Sequence, residues 1–132
     1  MAILRDCLEN GTWIEISFIA CIPGEDEGCR LNVKYFKTNN KIYDLDFGWT
    51  NITIKNYIEA TAEFPVERLD GLYSSFEKHL FQLDWKQIDS NGVYRLGFFG
   101  SDQDFKIHAD QESVRRFGSE FRLEWGQAPL RT

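Results

Sequence analysis

Nucleophilic or acid–base chemistry in this chain would have to come from three cysteines (Cys7, Cys21, Cys29), two histidines (His79, His108) and 21 carboxylate side chains. A thiol nucleophile needs an imidazole within hydrogen-bond reach to take its proton. No signature surrounds any of the cysteines. Cys21 stands among Ile19, Ala20 and Ile22 and reads as a small core residue. Structural zinc wants four Cys or His ligands in close pairs, whereas Cys21 and Cys29 are eight positions apart and both histidines are distant from them. Asp44-Leu45-Asp46 and Asp102-Gln103-Asp104 each put two carboxylates on one side of a strand. Both lack the further ligands and the glycine of a calcium loop, so they read as solvated strand faces. A glycosidase pair would need an acid and a base across a cleft, and nothing local marks one. Gly97-Phe98-Phe99-Gly100 lies between strands rather than before a helix, so it reads as a bend or bulge, not a phosphate cradle. No catalytic residue, metal ligand or cofactor is assigned, and the chain reads as non-enzymatic.

What remains is surface. Asp44 and Asp46 flank an outward strand face, and Trp49 follows Gly48 at a turn beside them. An aromatic group rimmed by acids suits contact with a basic protein. Pro23-Gly24-Glu25-Asp26-Glu27-Gly28 is an exposed loop by composition, and Glu25, Asp26 and Glu27 form a second acidic patch. Asp44, Asp46, Trp49, Glu25, Asp26 and Glu27 are therefore the candidate partner-binding residues. The alternative is a small-molecule-binding protein or enzyme with a pocket between sheet and helix, which the abundance of Phe and Trp would line.

The elements that must position these groups follow from periodicity. Residues 1–11 read as a lead-in. Thr12 to Ile22, Leu31 to Lys37 and Lys41 to Phe47 alternate as strands, with a hairpin turn at Thr38-Asn39-Asn40. Thr50 to Phe64 reads as a long strand rich in β-branched residues. Leu69, Leu72, Phe76, Leu80 and Leu83 recur at helical spacing and predict one principal helix over Leu69 to Leu83, opened by Pro65. Trp85 to Ile88 and Val93 to Phe99 flank the hairpin signal Asp89-Ser90-Asn91-Gly92. Phe105 to His108 is a short strand, Gln111 to Phe117 a helical turn or irregular segment, and Phe121, Leu123 and Trp125 a last strand before a frayed tail. The expectation is one α+β domain over residues 1–132. Its antiparallel sheet of about six to eight strands, split in two or strongly bent, packs on one principal helix.

Composition bounds the partner. The net charge is −6; residues 113–132 carry four arginines against two glutamates, and so +2, which leaves −8 on residues 1–112. An acidic body repels phosphate backbones and favours a basic protein partner over nucleic acid. No stretch approaches a membrane span, so no membrane partner is expected. An odd cysteine count without a secretory leader points to a reducing cytoplasm. The stretches Leu69-Asp70-Gly71-Leu72-Tyr73-Ser74-Ser75-Phe76, Leu83-Asp84-Trp85 and Tyr94-Arg95-Leu96-Gly97-Phe98-Phe99 resemble bacterial immunity proteins of polymorphic or contact-dependent toxin systems. That resemblance implies a cytoplasmic inhibitor that covers a cognate toxin, often a nuclease, and it transfers no contact residue.

Overall fold

The computed structural model describes residues 1–65, 72–73, 82–99 and 104–131. The chain is α+β. Strands β1 (Ala2–Arg5), β2 (Trp13–Cys21), β3 (Gly28–Lys37) and β4 (Asn40–Thr50) lead into helix α1 (Asn51–Ala62). Then come β5 (Leu72–Tyr73), β6 (Gln82–Gln87), β7 (Val93–Phe99), β8 (Asp104–Asp110) and helix α2 (Gln111–Gly126). The strands form two four-stranded sheets in the orders β1-β2-β3-β4 and β5-β6-β7-β8, antiparallel throughout.

Alternation builds the first sheet as expected. Ile14, Ile16 and Phe18 of β2 pair with Tyr35, Val33 and Leu31 of β3, and Leu31 in turn pairs with Phe47 of β4, so one face is buried throughout. The β3–β4 hairpin closes through Thr38 and Asn39, whose φ angles of 53° and 64° match the twist of the flanking strands. The hairpin at Asp89 is also present: the Asp89 carboxylate accepts from Asn91 N–H at 2.9 Å and Val93 N–H at 3.2 Å.

Several expectations are corrected. Asn51–Ala62 is a helix, not a strand, because its buried residues Ile54, Tyr57, Ala60 and Thr61 fall on one helical stripe. Thr50 caps it, its hydroxyl accepting from Thr53 N–H at 3.2 Å. Gln111–Gly126 is one continuous helix: Val114, Phe117, Gly118 and Phe121 are buried, while Leu123 stays 65% exposed, so Phe121, Leu123 and Trp125 form no strand. The one-helix expectation is thus replaced by two helices among the described residues. Within the expected Leu69–Leu83 helix, Leu72–Tyr73 and the start of Gln82–Gln87 are strand; the rest of that segment lies outside the described residues. The lead-in also contains strand β1.

Aromatic contacts join the layers. Trp49, Tyr57 and Phe121 from β4, α1 and α2 meet with ring centroids 5.2–6.1 Å apart. Phe105 of β8 stacks on Tyr35 at 4.6 Å, linking the two sheets. Phe64, just after α1, meets Trp85 and Tyr94 at 5.2 and 4.9 Å. The helices cross at Gly118, where a side chain would run into the Oγ1 and Cβ of Thr61. Asp6, its side chain fully buried, accepts from Leu8 and Glu9 N–H at 2.8 Å and meets the backbone N–H and Nδ1 of His108 at 2.9 Å, fastening β1 to β8. Glu120 of α2 accepts the Ile3 N–H at 3.0 Å, which covers the edge of β1.

Candidate functional site

The acidic loop between β2 and β3 is built by backbone bonds rather than left to fluctuate. Ile22 N–H donates to Gly28 C=O at 3.0 Å, and Glu27 N–H to Gly24 C=O at 3.3 Å. Gly24 adopts φ 131°, a region side chains disfavour. Asn51, the first residue of α1, pins the loop from the other side. Its backbone N–H donates to Glu27 C=O at 2.9 Å, and its amide donates to the carbonyls of Ile22 at 2.9 Å and Gly24 at 2.8 Å. Below, Cys21 and Cys29 face each other across β2 and β3 and form a disulfide. The expected reduced thiols are therefore replaced by one disulfide plus the exposed thiol of Cys7. Glu25, Asp26 and Glu27 are all exposed on this fastened loop.

Beside it lies an open groove of about 720 Å³ lined by Ile22, Pro23, Ile52, Trp125 and Leu130, with Glu25 and Lys55 as its charged groups. Ile22, Ile52 and Leu130 are 37%, 57% and 73% exposed, and exposed apolar side chains gathered in one concavity mark a contact surface more than scattered ones do. The segment read as a frayed tail forms its far wall: Pro129 C=O accepts from Cys21 N–H at 2.8 Å, and Arg131 N–H donates to Cys21 C=O at 2.9 Å. The sequence did not reveal this groove, because Ile52 and Trp125 fit an alternating strand pattern there. The legible signal was helical spacing, which puts Ile52 off the buried stripe of Ile54 and Tyr57.

Asp44 and Asp46 stand elsewhere. Both are exposed on the outer face of β4, where the Asn32 amide donates to them at 2.7 and 2.8 Å. Lys41 approaches Asp44 at 3.1 Å, and Lys34 pairs with it across the strands. The Asn32 hydrogen bond and then Lys41 hold the Asp44 carboxyl below its ordinary range, so it stays ionised. Cations already sit beside this pair, and Asp46 lies about 13 Å along β4 from the acidic loop. Trp49 is corrected: it is fully buried against Phe47, Tyr57 and Phe121, because β4 alternation turns it to the same face as Phe47. It offers no exposed anchor.

The groups able to do chemistry do not converge. Asp6 orients His108, which suggests a catalytic pair, yet the Cys7 thiol makes no hydrogen bond with that ring. Burial and then the Asp6 charge raise the thiol's pKa, which disfavours the thiolate a nucleophile needs. His79 and Asp102 lie outside the described residues. Among the described residues no three His, Cys, Asp or Glu side chains gather as a metal site, and no helix is long and apolar enough to cross a membrane. With this geometry in hand, comparison with protein-family models, curated proteins and solved structures finds no match.

Proposed function

We propose that this chain is a non-enzymatic acidic binding protein that neutralises a cognate basic protein, in the manner of the bacterial immunity proteins it resembles, the partner being a toxin such as a nuclease. The observation that carries this is the fastened acidic loop. Three carboxylates are exposed on a backbone held by Asn51 and the Cys21–Cys29 disulfide, so little ordering is required when a partner docks. A nuclease must present cations to phosphate, and an ordered acidic surface is steered toward the same field. Asp44 and Asp46 add a second negative point further along the sheet. The proposed location is the cytoplasm. Disulfides are rare there, but both sulfurs belong to residues no more than 5% exposed, which shields them from exchange.

The test is capture from native cell lysate at low salt by the wild-type chain and by a Glu25→Lys/Asp26→Lys/Glu27→Lys variant of unchanged circular dichroism. Wild type should retain a basic protein that the variant releases. Equal capture by both would remove the loop from the interface. The apolar lining of the groove is the observation on which a second reading, a small apolar ligand, would rest. A melting-temperature rise with a metabolite library, unaffected by the loop substitutions, would support that instead.

A further inference from the structure

We propose that the groove beside the acidic loop receives an apolar anchor of the basic partner, an aromatic or branched aliphatic side chain flanked by Lys or Arg, with those cations lying on the loop bank. As a refinement of the acidic-binder proposal, on which it rests, it names the contact that would carry the affinity. The walls Ile22, Pro23, Ile52, Trp125 and Leu130 are apolar, and two charged groups line the groove: Glu25, followed in the loop by the exposed Asp26 and Glu27, and Lys55 on α1. An apolar centre with carboxylates along its loop side is the complement of an apolar residue flanked on that side by cations, and such centrally buried side chains dominate interface energetics.

Two features argue against a small-molecule ligand. Sites for such ligands enclose most of the ligand and direct a few polar groups into the cavity. Here three wall residues stay 37–73% exposed, and the Asn51 amide is already committed to the carbonyls of Ile22 and Gly24. The two unlike charges also set a direction. A cationic flank over Glu25 is attracted, whereas one over Lys55 is repelled.

The test titrates the ¹⁵N-labelled chain with three capped pentapeptides: Lys-Lys-Trp-Lys-Lys, Lys-Lys-Ala-Lys-Lys and Glu-Glu-Trp-Glu-Glu. The first should bind about tenfold or more tightly than either other and shift the amides around Ile22, Ile52 and Leu130. Ile52→Ser, a change at a surface position, should weaken it. Glu25→Lys should weaken it, and Lys55→Glu should strengthen it by about threefold or more. Equal binding of the Trp and Ala peptides would overturn the anchor while leaving a purely electrostatic acidic binder. Equal binding of the Lys and Glu peptides would overturn it in favour of an apolar ligand site. No binding of the first peptide, or weaker binding by Lys55→Glu, would also overturn it.

Discussion

Gly118→Ala is the sharpest test of how the two helices are held. In an isolated helix this change favours folding by about 1 kcal/mol. Here the added methyl falls inside the Oγ1 and Cβ of Thr61, with Cγ2 at 3.4 Å. The hydroxyl could rotate away, at the expense of its 3.0 Å bonds to the carbonyls of Tyr57 and Ile58. The Thr61 Cβ cannot, because the backbone of α1 fixes it. The helices must therefore separate, which disturbs the packing of Tyr57 on Phe117 and Phe121. Overpacking of a close-packed core costs about 1–3 kcal/mol and sometimes more. With Thr61 unable to yield, the upper end applies, and the net loss after the propensity gain is about 2 kcal/mol. For a chain of 132 residues that is a fall in Tm of roughly 6–10 °C. Urea denaturation followed by circular dichroism measures it. Thr61→Ala should not rescue, since the Cβ remains; Thr61→Gly should, giving a favourable coupling of about 1–2 kcal/mol in the double variant. A stabilised Gly118→Ala protein, or strictly additive effects with Thr61→Gly, would refute the close crossing.

Other expectations follow from single groups. Asp6→Ala leaves three partly buried N–H groups without the acceptor that its carboxylate now provides, so it should cost about 2 kcal/mol or more in urea denaturation. Tyr57→Phe should be neutral or stabilising by about 1 kcal/mol, because the hydroxyl is buried without a hydrogen-bond partner; its burial likewise raises the phenol's pKa, so no absorbance change for Tyr57 should appear in alkali until the chain unfolds. Asp110 caps α2, accepting from Ser113 N–H at 2.8 Å, and that bond holds its carboxyl below the ordinary range. A lowered folded-state value means that this stabilisation is complete above the ordinary carboxylate range and is lost as pH falls below about 4. Asp110→Asn should flatten that part of the acid limb of a stability–pH curve, and Asp110→Ala should cost about 1 kcal/mol at neutral pH.

Three strands of the first sheet, β2 to β4, were legible because they bury one face only, and a half-buried strand writes its geometry directly into alternation: Ile14, Ile16, Phe18 and then Leu31, Val33, Tyr35; β1, four residues long, was too short to show it. The helices were not. In α1, Ile52, Ile54, Ile58 and Ala60 are spaced evenly enough to imitate a strand, and their β-branched neighbours reinforce it. Thr50 capping Thr53 and the burial of Tyr57 with Thr61 settle the matter; the cap is local, but the burial depends on tertiary contacts. In α2, Phe121, Leu123 and Trp125 alternate by chance, while Gly118, a weak helix former, is kept by the close approach of Thr61. Of the candidate site, the acidic loop was readable from Pro, Gly and three acids in succession. The groove was not, since its walls come from the loop after β2, from α1, from the end of α2 and from the segment that follows it, far apart along the chain. Trp49 was misjudged because Gly48 suggested a turn where β4 in fact continues to Thr50.

The clasp at Asp6 also has a consequence for biosynthesis. β1 leaves the ribosome well before the groups that secure it: its fastening to His108 spans 102 positions and the glutamate that covers its edge lies 117 positions away. Until Glu120 has been made, the nascent chain carries a strand with an uncovered flank, the kind of surface that seeds association with neighbouring polypeptides. Helix α2 therefore acts as a late seal, and truncation upstream of Glu120 would leave a polypeptide that captures its own copies or a chaperone instead of maturing.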